Sequence, residues 1–283
     1  MFDKILAPLD GSATSETGMA WARDAAARCG ASLELLTVVD STKAETNGHV
    51  AEAEAYLRSQ IERMQDNGVA ITSSIAVGVP GEQIVSHASE AGLTVMTYHT
   101  SRWLFGGALD MLLKGMVNPV VVVRAQDGQP AHPFEVSKIL APIGNTARST
   151  AAIPYAVDLC RAWDAQLVLC NVVIPIPGAY DKRNPPREIA EAIEEQIVLG
   201  EQMVLSIAME LTKQGITAES VIRVGEPARE IIAAAREAGA GLITMSTRGA
   251  DSMSRILASV AMGVVQASPI PCLLIRPPVA EKA

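Results

Sequence analysis

Two kinds of stretch alternate along the chain. Short, almost wholly apolar runs of strand length, such as Lys4 to Leu9, Leu33 to Val39 and Val120 to Val123, are separated by longer stretches in which apolar residues recur every three or four positions. The first kind reads as buried strand and the second as amphipathic helix. Strands are expected near 3–9, 32–39, 70–77, 93–97 and 119–124, then near 137–143, 165–173, 217–224, 241–246 and 270–276. Helices fill the intervals, near 13–29, 50–67, 81–91 and 107–117, and near 147–163, 187–214, 227–239 and 255–267. Strands apolar on both faces, each followed by a helix, predict an α/β architecture with parallel sheets covered on both sides. Right-handed crossovers with a reversal of strand order place a ligand crevice at the carboxyl ends of the first and fourth strands.

The list of elements is one list given twice. Lys4-Ile5-Leu6-Ala7-Pro8-Leu9 returns as Lys138-Ile139-Leu140-Ala141-Pro142-Ile143, and the register holds until Leu33 to Val39 meets Leu167 to Val173. Later, Val77-Gly78-Val79-Pro80 answers to Val224-Gly225-Glu226-Pro227, Met96 to Met245 and Pro119 to Pro271. The extra residues of the second copy therefore lie around Pro175 to Arg187 and in the loop after Met245. A repeat this long predicts two tandem domains. They are expected over 1–125 and 137–283, joined by a polar, Pro- and Gly-containing linker over 126–136. The irregular stretch Pro175 to Pro186 is either a surface insertion or a flap over the second crevice. In the helix that follows, Ile189, Ile193, Ile197, Leu205 and Met209 recur at a spacing that suits a core-facing helix.

Composition narrows the class. Hydrophobic residues make up 49% of the 283, enough for two cores. The net charge of −8 argues against non-specific nucleic-acid binding, which needs Lys and Arg against phosphates. Met1-Phe2-Asp3-Lys4 leads straight into a strand with no leader pattern, and no apolar run reaches membrane-helix length, so a soluble cytoplasmic protein is expected. Cys29, Cys160, Cys170 and Cys272 fit no metal-site spacing and read as small hydrophobes in a reducing compartment. His87 and His99 have no ligand-spaced partner, and no metal site is expected.

The second-copy loop carries the clearest chemistry. Ser246-Thr247-Arg248-Gly249 leaves a strand, and Ala258-Ser259-Val260 lies in the helix beyond. Small residues there let backbone amides converge on an anion, and the helix dipole adds to the field. Arg248 or Arg255 would add positive charge, and Ser259 a hydroxyl. In the first copy the matching loop reads Thr97-Tyr98-His99-Thr100, then Trp103, Leu104 and Phe105 before Gly106-Gly107. Bulky aromatics keep a phosphate from approaching the backbone, which glycine permits. No Gly-x-Ser-x-Gly, His-Glu-x-x-His or Walker-type Gly-Lys-Ser is present, so no catalytic constellation stands out.

With these residues laid out, the chain resembles the universal stress protein family in its tandem, two-domain form. The family's Pro-x-Asp-Gly-Ser strand ending is matched by Pro8-Leu9-Asp10-Gly11-Ser12. Its Val-x-Gly-x-Pro turn is matched within Ile75 to Pro80 and Arg223 to Pro227, and its closing strand by Pro119 to Val123 and Pro271 to Ile275. The ATP-binding branch holds phosphates with Gly-x-x-Gly, about nine residues, then Gly-Ser or Gly-Thr, and sets the strand-one Asp toward adenine. The second copy keeps Gly249, has eight residues where the family has nine, and puts Ala258-Ser259 in place of Gly-Ser, while its strand-one position is Gly144.

The resemblance implies two doubly wound, Rossmann-like domains of the adenine nucleotide alpha hydrolase kind, each a five-stranded parallel sheet with helices on both faces. They would pair through their last strands as an internal pseudo-dimer. It implies ATP or a related nucleotide, with or without Mg2+, in the second domain only. The residues placed there are Pro142, Ile143, Gly144, Val172, Val173, Gly225, Ser246, Arg248, Gly249, Arg255, Ala258, Ser259 and Val260. Pro8, Asp10, Val39, Gly78, Thr97, His99, Gly106 and Gly107 would outline a vestigial first site, where Asp10 is either a turn residue or a remnant of adenine recognition. The expected role is a stress-response or signalling module with at most slow ATP hydrolysis. Two alternatives stay open: a nucleotide-free scaffold that meets a protein partner or a second copy, and an enzyme acting on a small phosphorylated metabolite.

Overall fold

The structure is a computed structural model that describes residues 1–41, 46–64, 68–99, 107–125, 134–146, 149–175, 185–247 and 255–277. At 46, 47, 99 and 255–259 it describes the backbone alone. The described residues form two compact units. The first runs to Glu135 and takes in the final strand; the second begins at Val136 and includes the helix before that strand.

In the first unit the order is β1 (Lys4–Leu9), α1 (Ala13–Cys29), β2 (Ser32–Asp40), α2 (Thr46–Glu62), β3 (Ile71–Gly78), α3 (Pro80–Ser89), β4 (Leu93–His99), α4 (Ala108–Gly115) and β5 (Val120–Ala125). β1 pairs in parallel with both β2 and β4, β2 with β3, and β4 with β5. This is the doubly wound order, with its switch point between β1 and β4. Ile5, Leu6, Leu33 and Leu35 are wholly buried, because helices cover both faces of the sheet. α1 starts where the Ser12 hydroxyl accepts from the Ser15 amide, and ends at Gly30, whose φ of 64° suits glycine. The end of the expected linker is part of this core. Phe134 is buried, its ring 4.9 Å from that of Trp21, with the Arg28 guanidinium 5.1 Å above it.

The second unit repeats the plan: β6 (Lys138–Ile143), α5 (Ile153–Trp163), β7 (Gln166–Val173), α6 (Arg187–Lys213), β8 (Ala218–Val224), α7 (Pro227–Ala238), β9 (Leu242–Ser246) and α8 (Arg255–Ala267). β6 pairs in parallel with β7 and β9, and β7 with β8. The last strand, β10 (Cys272–Ile275), lies in the first unit antiparallel to β5, with Cys272 opposite Val122 and Leu274 opposite Val120. The last strands of the two sequence copies thus pair.

Three expectations need correction. α2 spans Thr46–Glu62, earlier at both ends than expected. α5 begins at Ile153, later than 147, because the Ser149 hydroxyl holds the preceding segment as a turn, accepting from the Gly144 amide at 3.1 Å and donating to the Thr146 carbonyl at 2.6 Å. Pro154, which lacks an N–H, then suits the first helical turn. In α6 the face on the core is Gly200, Val204 and Leu211, whereas Leu205 and Met209 are 60% and 59% exposed. A Cβ on Gly200 would stand 2.5 Å from Asn171 Oδ1. That close approach sets the rotation of the helix and turns Leu205 and Met209 outward.

Candidate functional site

In the first unit the carboxyl ends of β1, β2 and β4 open into a crevice of about 950 Å3. Of the residues expected there, Pro8, Asp10, Val39, Thr97 and Gly107 line it. Gly78 ends β3 nearby in sequence, with a φ of 155° and the Gln83 side chain where a Cβ would go. Gly106 and the side chain of His99 lie outside the described residues, as do Trp103, Leu104 and Phe105. The helix α2 supplies a wall the sequence reading missed: His49, Glu52, Ala53 and Tyr56. Their spacing of three, four and seven positions is the signal that places them on one helical face.

Asp10 is built into the turn before α1. Its Oδ1 accepts from the Ser12 amide at 3.0 Å and from the Ser12 hydroxyl at 2.5 Å. Thr97 is a packing residue as well as a lining one, since its Oγ1 accepts from the Gly18 amide at 3.1 Å. Tyr56 donates to Glu16 Oε1 at 3.4 Å, and Gln60 Nε2 donates to the same oxygen at 3.0 Å. Burial, with the nearby Glu16 carboxylate, pushes the Tyr56 phenol up to about 12. Asp10, Asp40 and Glu52 give the crevice three carboxylates, and among its described lining residues there is no Lys or Arg.

The second unit has its own recess at the carboxyl end of β6. Its described lining is Gly144, Asn145, Thr146, Thr150, Leu199 and Met203, around a recess of about 400 Å3. Pro142 and Ile143 end β6, Val172 and Val173 end β7, and Ser246 ends β9. Gly225 follows β8, its amide donating to the Val173 carbonyl at 3.0 Å. Its φ of 157° leaves the space a side chain would need to Glu230. Val260 lies half-buried in α8. Arg248 and Gly249, with the Pro175–Pro186 loop for the most part, lie outside the described residues; for Arg255, Ala258 and Ser259 only the helical backbone is described.

The remaining candidates have structural partners. His87 Nδ1 is 2.9 Å from the Gln83 carbonyl of its own helix. Cys160, Cys170 and Cys272 are buried and unbridged, and burial pushes the Cys160 and Cys170 thiols up to about 12. Arg223 pairs with Glu237, which raises its guanidinium further. Among the described residues no three His, Cys, Asp or Glu side chains are grouped to hold a metal ion, and no helix is long and apolar enough to cross a membrane.

Comparison with known proteins agrees with this architecture. The sequence matches the profile of the Universal stress protein family over residues 1–124 and again over 135–276. It is 29% identical over 146 residues to the universal stress protein YxiE of Bacillus subtilis, covering 50% of this chain and 99% of that protein. A universal stress protein from Archaeoglobus fulgidus superimposes with a TM-score of 0.75 at 18% identity, covering 97% of this chain and 98% of the other. A second such structure, from Pseudomonas aeruginosa, gives a TM-score of 0.64 at 16% identity over 98% and 94% of the two chains.

Proposed function

The chain belongs to the universal stress protein family, and from that premise we propose that its second unit holds ATP or a related nucleotide. The protein would then be a nucleotide-responsive stress or signalling module of the cytoplasm. The observation that carries this reading is the contrast between the two crevices. The described lining of the second has no charged side chain, whereas that of the first carries Asp10, Asp40 and Glu52 with no Lys or Arg among its described residues.

The residues present fit such a ligand. Leu199 and Met203 offer an apolar wall to a purine ring, and Asn145, Thr146 and Thr150 offer polar groups to a ribose. Phosphates would fall to the amides of the Ser246–Gly249 and Ala258–Val260 stretches, with Arg248 or Arg255 as counter-charge. A divalent ion would arrive with the phosphates.

Thermal melting with Mg-ATP tests the reading. Binding stabilises by RT ln(1 + [L]/Kd), about 2.7 kcal/mol at 100 Kd. A saturable rise in Tm that is lost in Gly249→Val supports the proposal. No rise at millimolar Mg-ATP, ADP or AMP overturns it.

One observation favours a second reading as an interaction module. Val198, Leu205 and Met209 form an exposed apolar stripe on α6. Concentration-dependent sedimentation that is abolished by Leu205→Lys would support that reading.

A further inference from the structure

α6 is apolar on two sides. Gly200, Val204 and Leu211 face the core, while Val198, Leu205 and Met209 stand in solvent, 49%, 60% and 59% exposed. Spacings of seven and four positions set the exposed three on one line along the helix. The first unit shows that the fold does not require this second side. Buried Ala53 and Leu57 of α2 fall on buried Gly200 and Val204 of α6. That register puts Ala51, Arg58 and Glu62 where Val198, Leu205 and Met209 stand, and those three are exposed too. The same outward line thus ends in two charged residues in one helix and stays apolar in the other. An apolar line that the fold does not need is a surface for another molecule.

The charges beside the line select the occupant. Glu191, Glu194, Glu195 and Glu201 stand along the exposed side, with Lys213 at its carboxyl end. A second α6 laid parallel would set each glutamate beside its own copy, which is unfavourable. Laid antiparallel, about a two-fold axis at the height of Met203 and Val204, it sets Val198 against Met209, Gln202 against Leu205 and Glu194 against Lys213. Glu195 and Glu201 then meet Thr212 and Ser206. All three apolar side chains are covered, and no glutamate of the helix faces another.

Building on the interaction reading of α6, we propose that its partner is a second copy of this chain, docked as an antiparallel α6 pair in which Val198 packs on Met209 and Glu194 meets Lys213 of the partner subunit. Within its own helix the Lys213 ammonium lies 2.9 Å from Glu210. That pair is exposed and therefore weak, which leaves the ammonium available to bridge across the seam. A helix of 27 residues gives a seam of about 40 Å at most. Such a contact is at the small end of specific interfaces, so the dimer is expected to be reversible at micromolar concentration.

Sedimentation equilibrium of the full chain at physiological salt tests the pairing, with circular dichroism to confirm folding of each variant. Glu194→Lys and Lys213→Glu should each weaken dimerisation roughly threefold or more, since the ion pair occurs twice per dimer. The double variant, equal in charge to the parent, should restore it. Strengthening by Glu194→Lys, the result expected if the overall charge of −8 governed association, overturns the proposal. So does a double variant no better than the singles. Cysteine trapping under mild oxidation in a Cys29→Ser background reads the register. Val198→Cys mixed with Met209→Cys should cross-link and neither alone, because like positions lie about 16 Å apart along the seam. A dimer that is lost in Leu205→Lys but trapped by either cysteine variant alone overturns the antiparallel pair and leaves the interaction reading standing. A chain that stays monomeric at millimolar concentration overturns both.

Discussion

The Gly18 amide of α1 donates to Thr97 Oγ1 of β4 at 3.1 Å, and that same oxygen occupies the space a Cβ on Gly18 would need. The pair fixes how closely the helix beside the first crevice lies on the sheet. Gly18→Ala gains about 1 kcal/mol of helix propensity. Against this, overpacking costs about 1–3 kcal/mol. The variant is expected to melt below the parent. In a Thr97→Ala background the clash is gone and the same substitution should raise Tm; an unchanged sign in the two backgrounds would refute the coupling.

Asn171 plays the matching part in the second unit. It is buried, and its Nδ2 donates to the Ile143 carbonyl at 2.9 Å while Gly200 of α6 presses against it. Asn171→Ala leaves that buried carbonyl unsatisfied, a loss of about 1–3 kcal/mol. Gly200→Ala should also destabilise, and chemical denaturation of both single variants and the double should show strong non-additivity.

Stability toward acid should carry the signature of Glu34. Burial alone would raise its carboxyl, but the Ser74 hydroxyl at 2.6 Å and the Lys4 ammonium at 3.0 Å, with His87 nearby, hold it below the usual carboxylate range. A lowered folded-state pKa contributes stability that is present at neutral pH and lost as pH falls through that lowered value. Glu34→Gln should therefore unfold at lower urea than the parent at pH 7. The gap should close at acid pH, below the ordinary Glu value of about 4.3. A gap constant with pH would contradict this.

Thiol accessibility should separate the four cysteines. Cys160, Cys170 and Cys272 are buried, whereas Cys29 is partly exposed at the end of α1. Only the thiolate reacts, and a buried thiol with a pKa near 12 supplies almost none at neutral pH. A thiol reagent at pH 7.5 should label Cys29 first and the others only in denaturant. Rapid labelling in Cys29→Ser would count against the buried placement.

Much of this protein was written in short-range signals. Apolar runs such as Lys4 to Leu9 and their near copy at Lys138 to Ile143 determined strands, repeat and doubly wound plan, since burial on both faces of a parallel sheet leaves its mark residue by residue. Asp10 and Ser12 announced the turn that opens α1 because turn and cap chemistry spans only a few residues. What remained hidden depended on packing between distant segments. The apolar residues of α6 are compatible with more than one buried face, and contact between Gly200 and Asn171 chose the one that exposes Leu205 and Met209. The antiparallel pairing of β10 with β5, which the family resemblance implied, follows from no local pattern, because it joins the last strand to one near the middle of the sequence. The acidic wall of the first crevice likewise exists only where α2 brings Glu52 and Tyr56 over the ends of β1 and β2, a juxtaposition set by long-range contacts to which local pattern is blind.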